Sequence, residues 1–215
     1  MSTKIASIVG ATGLIGHQLL LALLEDDDYG TIRVLIRRPI DISHPRLEKK
    51  IVDFNDGDSL LVALTGSHTV FCCIGTTQKK VKGDKTAYRT IDFDIPVKLA
   101  RFCKMLGCEN FVLVSSVGAN PQSGNFYLRL KGEVEAAVRE SGIRTIHIMR
   151  PSMLLGRRSE FRMGERIGQL VMRTFSIFIP SRYKPIPATR VAQAMVKASK
   201  NEASGCFIYH YADMQ

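Results

Sequence analysis

Residues 5–16, Ile5-Ala6-Ser7-Ile8-Val9-Gly10-Ala11-Thr12-Gly13-Leu14-Ile15-Gly16, decide how this chain folds. They begin with an apolar run rich in β-branched residues, which stops at Gly10. Glycines in the spacing GxxGxxG then lead into the apolar stretch Leu19–Leu24. This pattern predicts a buried parallel strand, a tight turn and the first turn of a helix.

Glycine suits such a turn for three physical reasons. It permits a sharp backbone bend, it lets the main chain approach a pyrophosphate closely, and it allows a helix to pack tightly against a strand. The unpaired N–H groups at the start of the helix would then face the phosphates. A plain structural turn is the alternative, but the strand-turn-helix context favours dinucleotide binding. The residues expected to hold the dinucleotide here are Gly10, Thr12, Gly13, Leu14 and Ile15.

The composition points to one globular domain. The chain has 215 residues, of which 45% are hydrophobic and 23% charged, and this is enough for one sizeable core. Its apolar runs are shorter than the about 18 residues that a membrane span needs, and its start does not resemble a secretory signal. We therefore expect a single domain over residues 1–215 without a membrane span.

The cysteines do not suggest a disulfide framework. There are five of them, and the neighbours Cys72 and Cys73 would point to opposite faces of a strand. Cys103 and Cys108 lack the CxxC partners of a zinc site, so we expect no metal. The cysteine pattern favours a reducing, cytoplasmic setting.

The formal net charge of +10 raises the question of a nucleic-acid partner. The positive side chains are spread over the chain, with local groups at residues 79–85 and 157–166, and no nucleic-acid-binding motif accompanies them. We therefore do not expect nucleic acid as a partner. A solvated surface that partly serves anionic ligands explains the charge better.

Strand-like and helix-like segments alternate along the chain as far as residue 149. This alternation predicts an α/β fold with a doubly wound parallel sheet. Residues 40–50 read as a surface connection, whereas residues 156–187, with a helix around Gly164 to Phe175, read as a small cap on the substrate side. The predicted strands after the first are Thr31–Ile36, Ile51–Phe54, Thr69–Ile74, Asn110–Val114, Thr145–Met149 and Cys206–His210. The predicted helices after the first are Gly57–Leu64, Ala87–Leu106, one through Tyr127 and Val138, and Thr189–Lys200.

Ligands of a parallel sheet bind beyond the carboxyl ends of its strands. Arg37 and Arg38 end the second strand, where an acidic residue would favour NAD. The planar guanidinium groups suit a 2′-phosphate instead, so we expect NADP(H) rather than NAD, with a merely exposed arginine pair as the alternative. Further residues expected to border the cofactor are Asp53 or Phe54 beside the adenine, and Gly75, Thr76 and Thr77 after the fourth strand.

Tyr127 and Lys131 form a YxxxK motif on a predicted helix. Positions i and i+4 share a helix face, so the ammonium group can lie beside the phenol and favour its ionised form. The motif alone is a weak signal, but its position is informative. The preceding strand delivers Ser115 and Ser116, whose hydroxyl groups could hold a substrate carbonyl oxygen.

Together these motifs resemble the short-chain dehydrogenase/reductases of the atypical or extended kind. The stretch Phe71-Cys72-Cys73-Ile74-Gly75-Thr76-Thr77, Ile91-Asp92-Phe93-Asp94, Lys131-Gly132-Glu133 and Arg150-Pro151-Ser152 are similar to the Tat-interacting-protein-like branch. The resemblance implies an NADP-binding Rossmann fold in which Pro151 also lines the cofactor site. It further implies that Ser116, or alternatively Ser115, polarises a carbonyl, that Tyr127 exchanges the proton, and that Lys131 binds the nicotinamide ribose.

Two functions follow from this reading. The first is an oxidoreductase that moves a hydride between NADPH and a small carbonyl or alcohol. The second is a non-catalytic sensor of NADP(H) that acts through protein partners. The serine, tyrosine and lysine favour the enzyme, because a sensor has no chemical need of them, whereas the small cap favours the sensor.

Overall fold

The computed structural model describes residues 3–156, 181–201 and 203–215, and its centre is a seven-stranded parallel sheet. The strands are β1 (Ile5–Val9), β2 (Thr31–Ile36), β3 (Leu47–Ile51), β4 (Thr69–Cys72), β5 (Asn110–Val114), β6 (Thr145–Met149), β7 (Leu154–Leu155), β8 (Ile186–Pro187) and β9 (Gly205–Tyr209). The helices are α1 (Leu14–Leu24), α2 (Gly57–Leu64), α3 (Lys85–Arg89), α4 (Ile95–Met105), α5 (Phe126–Arg139) and α6 (Ala188–Ser199).

The order of the sheet is β3-β2-β1-β4-β5-β6-β9, with every neighbouring pair parallel. From β1 the chain moves outward through β2 and β3, and then returns to the other side of β1 with β4. Helices α1 and α6 pack on one face of the sheet, and α2, α4 and α5 pack on the other. The predicted doubly wound Rossmann fold is confirmed, and its switch point lies between β1 and β4.

The central strands form because their residues are apolar on both faces. Four of the five residues of β1 and all five of β6 are buried, as expected of parallel strands covered by helices on both sides. The helices meet them with apolar stripes such as Leu19, Leu20 and Leu23 of α1. No helix in the described part of the chain is long and apolar enough to cross a membrane.

The third strand does not lie where the sequence predicts it. We predicted it at Ile51–Phe54, but β3 runs over Leu47–Ile51 and pairs with Ile32–Ile36, inside the stretch expected to be a surface connection. The sequence LEKKI lacks the apolar run of a buried strand because β3 is a sheet edge, where charged residues are tolerated. Glu48 in β3 accepts a hydrogen bond from Arg33 Nε of β2 at 2.5 Å, which supports this register.

The predicted helix Ala87–Leu106 is divided into α3, a π-helical turn over Thr90–Asp94, and α4. Pro96 lies in the first turn of α4 and has no N–H to offer the carbonyl of Asp92, four residues earlier. The wider π turn lies at this point, and such turns are common at functional sites. The helix ends beside Gly107, as predicted.

Most of the predicted cap, including the helix expected around Gly164 to Phe175, lies outside the described residues. The two ends of this segment are nevertheless joined. Strand β7 pairs in parallel with β8, and the Ile186 N–H donates to the Met153 carbonyl at 2.9 Å. Strands β7 and β8 therefore form a small sheet of their own, separate from the seven-stranded one.

His147 in β6 is a buried polar side chain in this apolar core. Its Nδ1 lies 3.0 Å from the Tyr209 hydroxyl, and its ring stacks on Phe207 with centroids 5.6 Å apart. Its Nε2 has no hydrogen-bond partner among the residues that the structure describes. Burial lowers the pKa of His147 to about 4, so the imidazole is neutral in the folded protein at neutral pH.

We predict that His147 makes the fold sensitive to acid. The unfolded chain binds a proton at this imidazole below a pH of about 6.5, whereas the folded chain does so only near 4, so stability is lost as the pH falls between these values. Urea unfolding should give a free energy about 2 kcal/mol lower at pH 5 than at pH 7. The variant His147→Gln should lose most of this difference.

A control is His68→Gln. His68 is only partly buried, 3.4 Å from Glu109, and this burial also lowers its pKa. This variant should retain most of the pH dependence. If the free energy of unfolding of His147→Gln still differs between pH 7 and pH 5 as much as that of the unmutated protein, another group is responsible.

Candidate cofactor and active site

The glycine turn between β1 and α1 is packed backbone against backbone. Gly10 has a φ of +91°, and a Cβ placed on it would lie 2.7 Å from the carbonyl carbon of Cys73, just beyond β4. A Cβ on Gly16 would lie 2.1 Å from the Gly10 carbonyl oxygen. These distances leave no room for any side chain, so the turn exposes main chain at the switch point of the sheet.

The start of α1 suits an anion. Gly13 has extended backbone at the N-cap position and carries no side chain that could accept the first N–H groups of the helix. The first turn contains no acidic residue, so the positive end of the helix dipole is not neutralised there. Thr12 and Gly13 are exposed, whereas Ile15 is buried and can offer only its main chain. The residues of the turn therefore fit a pyrophosphate.

The residues predicted to meet the adenosine half of a cofactor follow β2 and β3. Arg37 and Arg38 come directly after Ile36 and are exposed. Neither guanidinium group has a hydrogen bond or ion pair within the described part of the chain. Asp53 is also exposed, and its carboxylate accepts the Asn55 N–H at 2.9 Å. Phe54 instead packs into the core and is 8% exposed, so little of its ring is left for a ligand.

The segment after β4 is tied to a buried carboxylate. The Thr76 N–H donates to Asp92 Oδ2 at 2.7 Å, and Tyr88 donates its hydroxyl to the Thr76 carbonyl at 3.3 Å. Gly75 lies beside the other oxygen of Asp92, which a Cβ would approach to 3.4 Å. The π-helical turn thus fixes the path of Gly75 and Thr76 at the carboxyl edge of the sheet. Thr77 follows them, and its carbonyl accepts the Lys80 N–H at 2.9 Å.

Lys131 completes this cluster from α5. Its Nζ lies 2.9 Å from Asp92 Oδ1, and both side chains are buried. Burial would lower the pKa of Lys131, but the Asp92 carboxylate, together with Tyr127 and Cys72, more than offsets burial, so the pKa is raised and the ammonium stays charged. The same Nζ lies 6.0 Å from the ring centre of Tyr127, one helical turn away. The structure therefore brings tyrosine and lysine together as their spacing predicts.

The two serines after β5 have different environments. Ser115 is buried and donates its hydroxyl to Glu135 Oε1 at 2.5 Å. Ser116 is partly exposed, and its hydroxyl has only a long bond of 3.3 Å to the neighbouring Val117 carbonyl. Pro151 lies beside this loop and accepts the Val117 N–H at 2.9 Å. Ser116 is therefore the serine whose hydroxyl is available to a ligand.

Three residues that hold the site together carried no recognised role in the sequence. Asp92 stands in a stretch that carries the family resemblance, but its role as the partner of Lys131 was missed because only Pro96 hints at the π-helical turn. Glu135 lies four residues after Lys131, a spacing that could have placed it on the same helix face. Gly132 lets the β5–α5 loop lie on the helix, since a Cβ there would lie 2.3 Å from the Asn120 carbonyl carbon.

Fold and site together define a dinucleotide-binding protein of the Rossmann type. The profile of a family described as NAD(P)H-binding matches residues 10–202, and the chain belongs to this NAD(P)H-binding family. It is 32% identical to Protein HTATIP2 of Rattus norvegicus over 95% of this chain and 85% of that one. It is also 32% identical to "Protein FMP52, mitochondrial" of Candida glabrata, over 94% of this chain and 88% of that one. The resemblance drawn from the sequence motifs is confirmed.

Solved structures agree on the fold. MoeE5 in complex with UDP-glucose and NAD superposes with a TM-score of 0.72 at 17% identity, covering 94% of this chain and 74% of that one. Uronate dehydrogenase from Agrobacterium tumefaciens gives a TM-score of 0.71 at 14% identity, covering 95% of this chain and 75% of that one.

Within the described residues, no group of three or more His, Cys, Asp or Glu side chains could hold a metal ion.

We predict that Asp92 is needed to keep Lys131 buried. Asp92→Asn retains an acceptor for the Thr76 N–H but leaves the ammonium without a counter-ion, and breaking a buried pair in this way costs about 3 kcal/mol or more. Urea unfolding should show this loss, and Asp92→Asn combined with Lys131→Met should recover at least half of it. Asp94→Asn, in the same turn but exposed, is the matched control. A loss below about 1 kcal/mol for Asp92→Asn would contradict the assignment.

Proposed function

We propose that this protein is an NADP(H)-dependent oxidoreductase that transfers a hydride between the nicotinamide and a small carbonyl or alcohol. The buried Lys131–Asp92 pair one helical turn from Tyr127 carries the proposal. A buried charge needs a counter-ion merely to be tolerated. A buried ammonium group beside a tyrosine, at the ligand-binding edge of the sheet, is suited to assist proton transfer by that tyrosine.

The proposed cofactor contacts follow the carboxyl edge of the sheet. The main chain of Gly10, Thr12, Gly13, Leu14 and Ile15 would hold the pyrophosphate, and Arg37 and Arg38 would hold a 2′-phosphate. Asp53 would lie near the adenosine, and Gly75, Thr76, Thr77, Ser115 and Pro151 would line the cleft. When bound, the nicotinamide supplies or accepts the hydride.

The remaining chemistry belongs to the protein. Ser116 would donate a hydrogen bond to the substrate oxygen, and Tyr127 would give that oxygen a proton as negative charge develops on it. A positioned acid of this kind contributes roughly 10²–10⁴-fold to the rate. Lys131 would stabilise the phenolate that remains and also bind the nicotinamide ribose, while Asp92 keeps Lys131 in place.

We also propose that residues 156–187 cover the substrate side of a single domain. The pairing of β7 with β8 supports this, since it joins the chain just before this segment to its last residues. All five cysteines are free, which supports a reducing compartment. We propose the cytoplasm, although the name of the FMP52 relative includes the word mitochondrial.

We predict that NADPH binds at least about tenfold more tightly than NADH, because charge-assisted hydrogen bonds to the 2′-phosphate require Arg37 and Arg38. Replacing both arginines by alanine should bring the two affinities together in a calorimetric titration. Arg101→Ala with Lys104→Ala is the matched control. It removes the same charge near the end of α4, where the chain returns to the amino edge of the sheet. Equal affinities in the unmutated protein would refute the NADP preference.

We predict that Tyr127→Phe abolishes turnover but not cofactor binding, because it deletes one hydroxyl group and little else. NADPH consumption with a panel of aldehydes, ketones and quinones should fall about 100-fold or more, while NADPH affinity stays within about threefold. Lys131→Ala should reduce both. Full activity of Tyr127→Phe would exclude the tyrosine as the acid.

The same assay separates the enzyme from the alternative. Tight NADPH binding without turnover of any carbonyl in the unmutated protein would support a non-catalytic sensor that acts through protein partners.

A further inference from the structure

Glu135 is a buried carboxylate that the proposed chemistry does not use. It lies in α5, and 3% of its side chain is exposed. Its Oε1 accepts hydrogen bonds from the Ser115 hydroxyl at 2.5 Å and from Arg150 Nε at 2.9 Å. Its Oε2 accepts Arg150 Nη2 at 2.5 Å and lies 4.0 Å from Arg139 Nη2. Both oxygens are thus fully engaged with cations or donors.

The partners of Glu135 lie at the ends of two neighbouring strands. Ser115 follows the last residue of β5 and directly precedes Ser116. Arg150 follows the last residue of β6 and directly precedes Pro151. The Ser115 N–H also donates to the Met149 carbonyl at 2.7 Å, so the two strand ends are already joined by their backbones. The carboxylate adds the link from these ends to α5.

The helix position of Glu135 shows what this link fixes. Tyr127, Lys131 and Glu135 are spaced i, i+4 and i+8, so they form one stripe along α5. One end of the stripe carries the proposed acid, and the other end is held to the loop that carries Ser116. The Glu135 contacts therefore tie the loop that carries Ser116 to the helix that carries Tyr127.

We infer that Glu135 and Arg150 are positioning residues that hold the Ser116 loop in register with Tyr127 and Lys131. The inference rests on the proposed function for its catalytic consequence, but not for its structural content. The two parallel N–H···O bonds between guanidinium and carboxylate fix direction as well as distance. A lysine at position 150 would keep the charge but could not form this fork. Ser115 is part of the same clamp, which leaves Ser116 to meet the substrate.

The direct test is hydrogen exchange of the loop over residues 115–125, measured by mass spectrometry on the full chain without ligand. Glu135→Gln and Arg150→Lys should each speed exchange in this loop about tenfold or more, because both break the fork. Glu140→Gln is the matched control. It is the same substitution five residues later, on an exposed carboxylate at the end of α5, and it should leave the loop unchanged.

Kinetics supply the second readout. If turnover is found, both clamp variants should lower kcat about 10- to 100-fold, since small misplacements of catalytic groups are costly. Their NADPH affinity should stay within about threefold, because the glycine turn is untouched. Restored kcat in Arg150→Lys, relative to Arg150→Met, would show that charge alone matters and would overturn the positioning role.

A variant that fails to fold does not end the test. Glu135→Leu combined with Arg150→Met removes both charges, and such apolar replacements of a buried pair usually preserve stability. This variant should fold, yet its loop should exchange as fast as that of Glu135→Gln. Loop exchange equal to that of the unmutated protein in all folded variants would overturn the inference. Absence of turnover in the unmutated protein would instead count against the proposed function.

Discussion

The backbone contact between the glycine turn and the end of β4 is the constraint on which the rest of the structure depends. A Cβ on Gly16 would come within 2.1 Å of the Gly10 carbonyl oxygen, and a Cβ on Gly10 would come within 2.7 Å of the Cys73 backbone. This contact brings the start of α1 to the switch point between β1 and β4. It therefore creates the anion site and decides which edge of the sheet binds a ligand.

The part of the site built on α5 depends on buried charged side chains rather than on glycine. Lys131 and Glu135 both point from α5 into the protein, and each meets a partner of opposite charge, Asp92 or Arg150. Buried ion pairs of this kind add little net stability, but losing one partner is costly because the other stays buried and unpaired. Such pairs therefore fix the relative positions of the elements that carry them. Here they attach α5 to the segments after β4, β5 and β6.

The sequence could predict the parts of the fold that depend on local pattern. Strands β2, β5 and β6 have the predicted bounds because they are largely apolar and mostly buried. Strand β3 was misplaced because an edge strand need not be apolar, and its pairing with β2 is supported by the contact between Arg33 and Glu48. The YxxxK spacing brought Tyr127 and Lys131 together, as a helix requires. The partner Asp92 could not be predicted, since it is 39 residues from Lys131 and depends on a π-helical turn.

The choice between Ser115 and Ser116 shows the same limit. Both follow β5, and only the structure distinguishes them, because Glu135 lies 20 residues away along the chain. Sequence spacing identifies which groups can share a helix face or a sheet edge. It does not identify which of two neighbours is held by a distant buried carboxylate, because that depends on the packing of α5 against the sheet.

We propose that the glycine turn and the stripe of Tyr127, Lys131 and Glu135 along α5 form one cofactor site. A crystal structure of the protein with NADP⁺ would show whether they do. We expect the pyrophosphate at the N-terminus of α1, the 2′-phosphate beside Arg37 and Arg38, and the nicotinamide beside Tyr127 and Lys131. A dinucleotide bound elsewhere, or a nicotinamide out of reach of Tyr127, would refute this proposal.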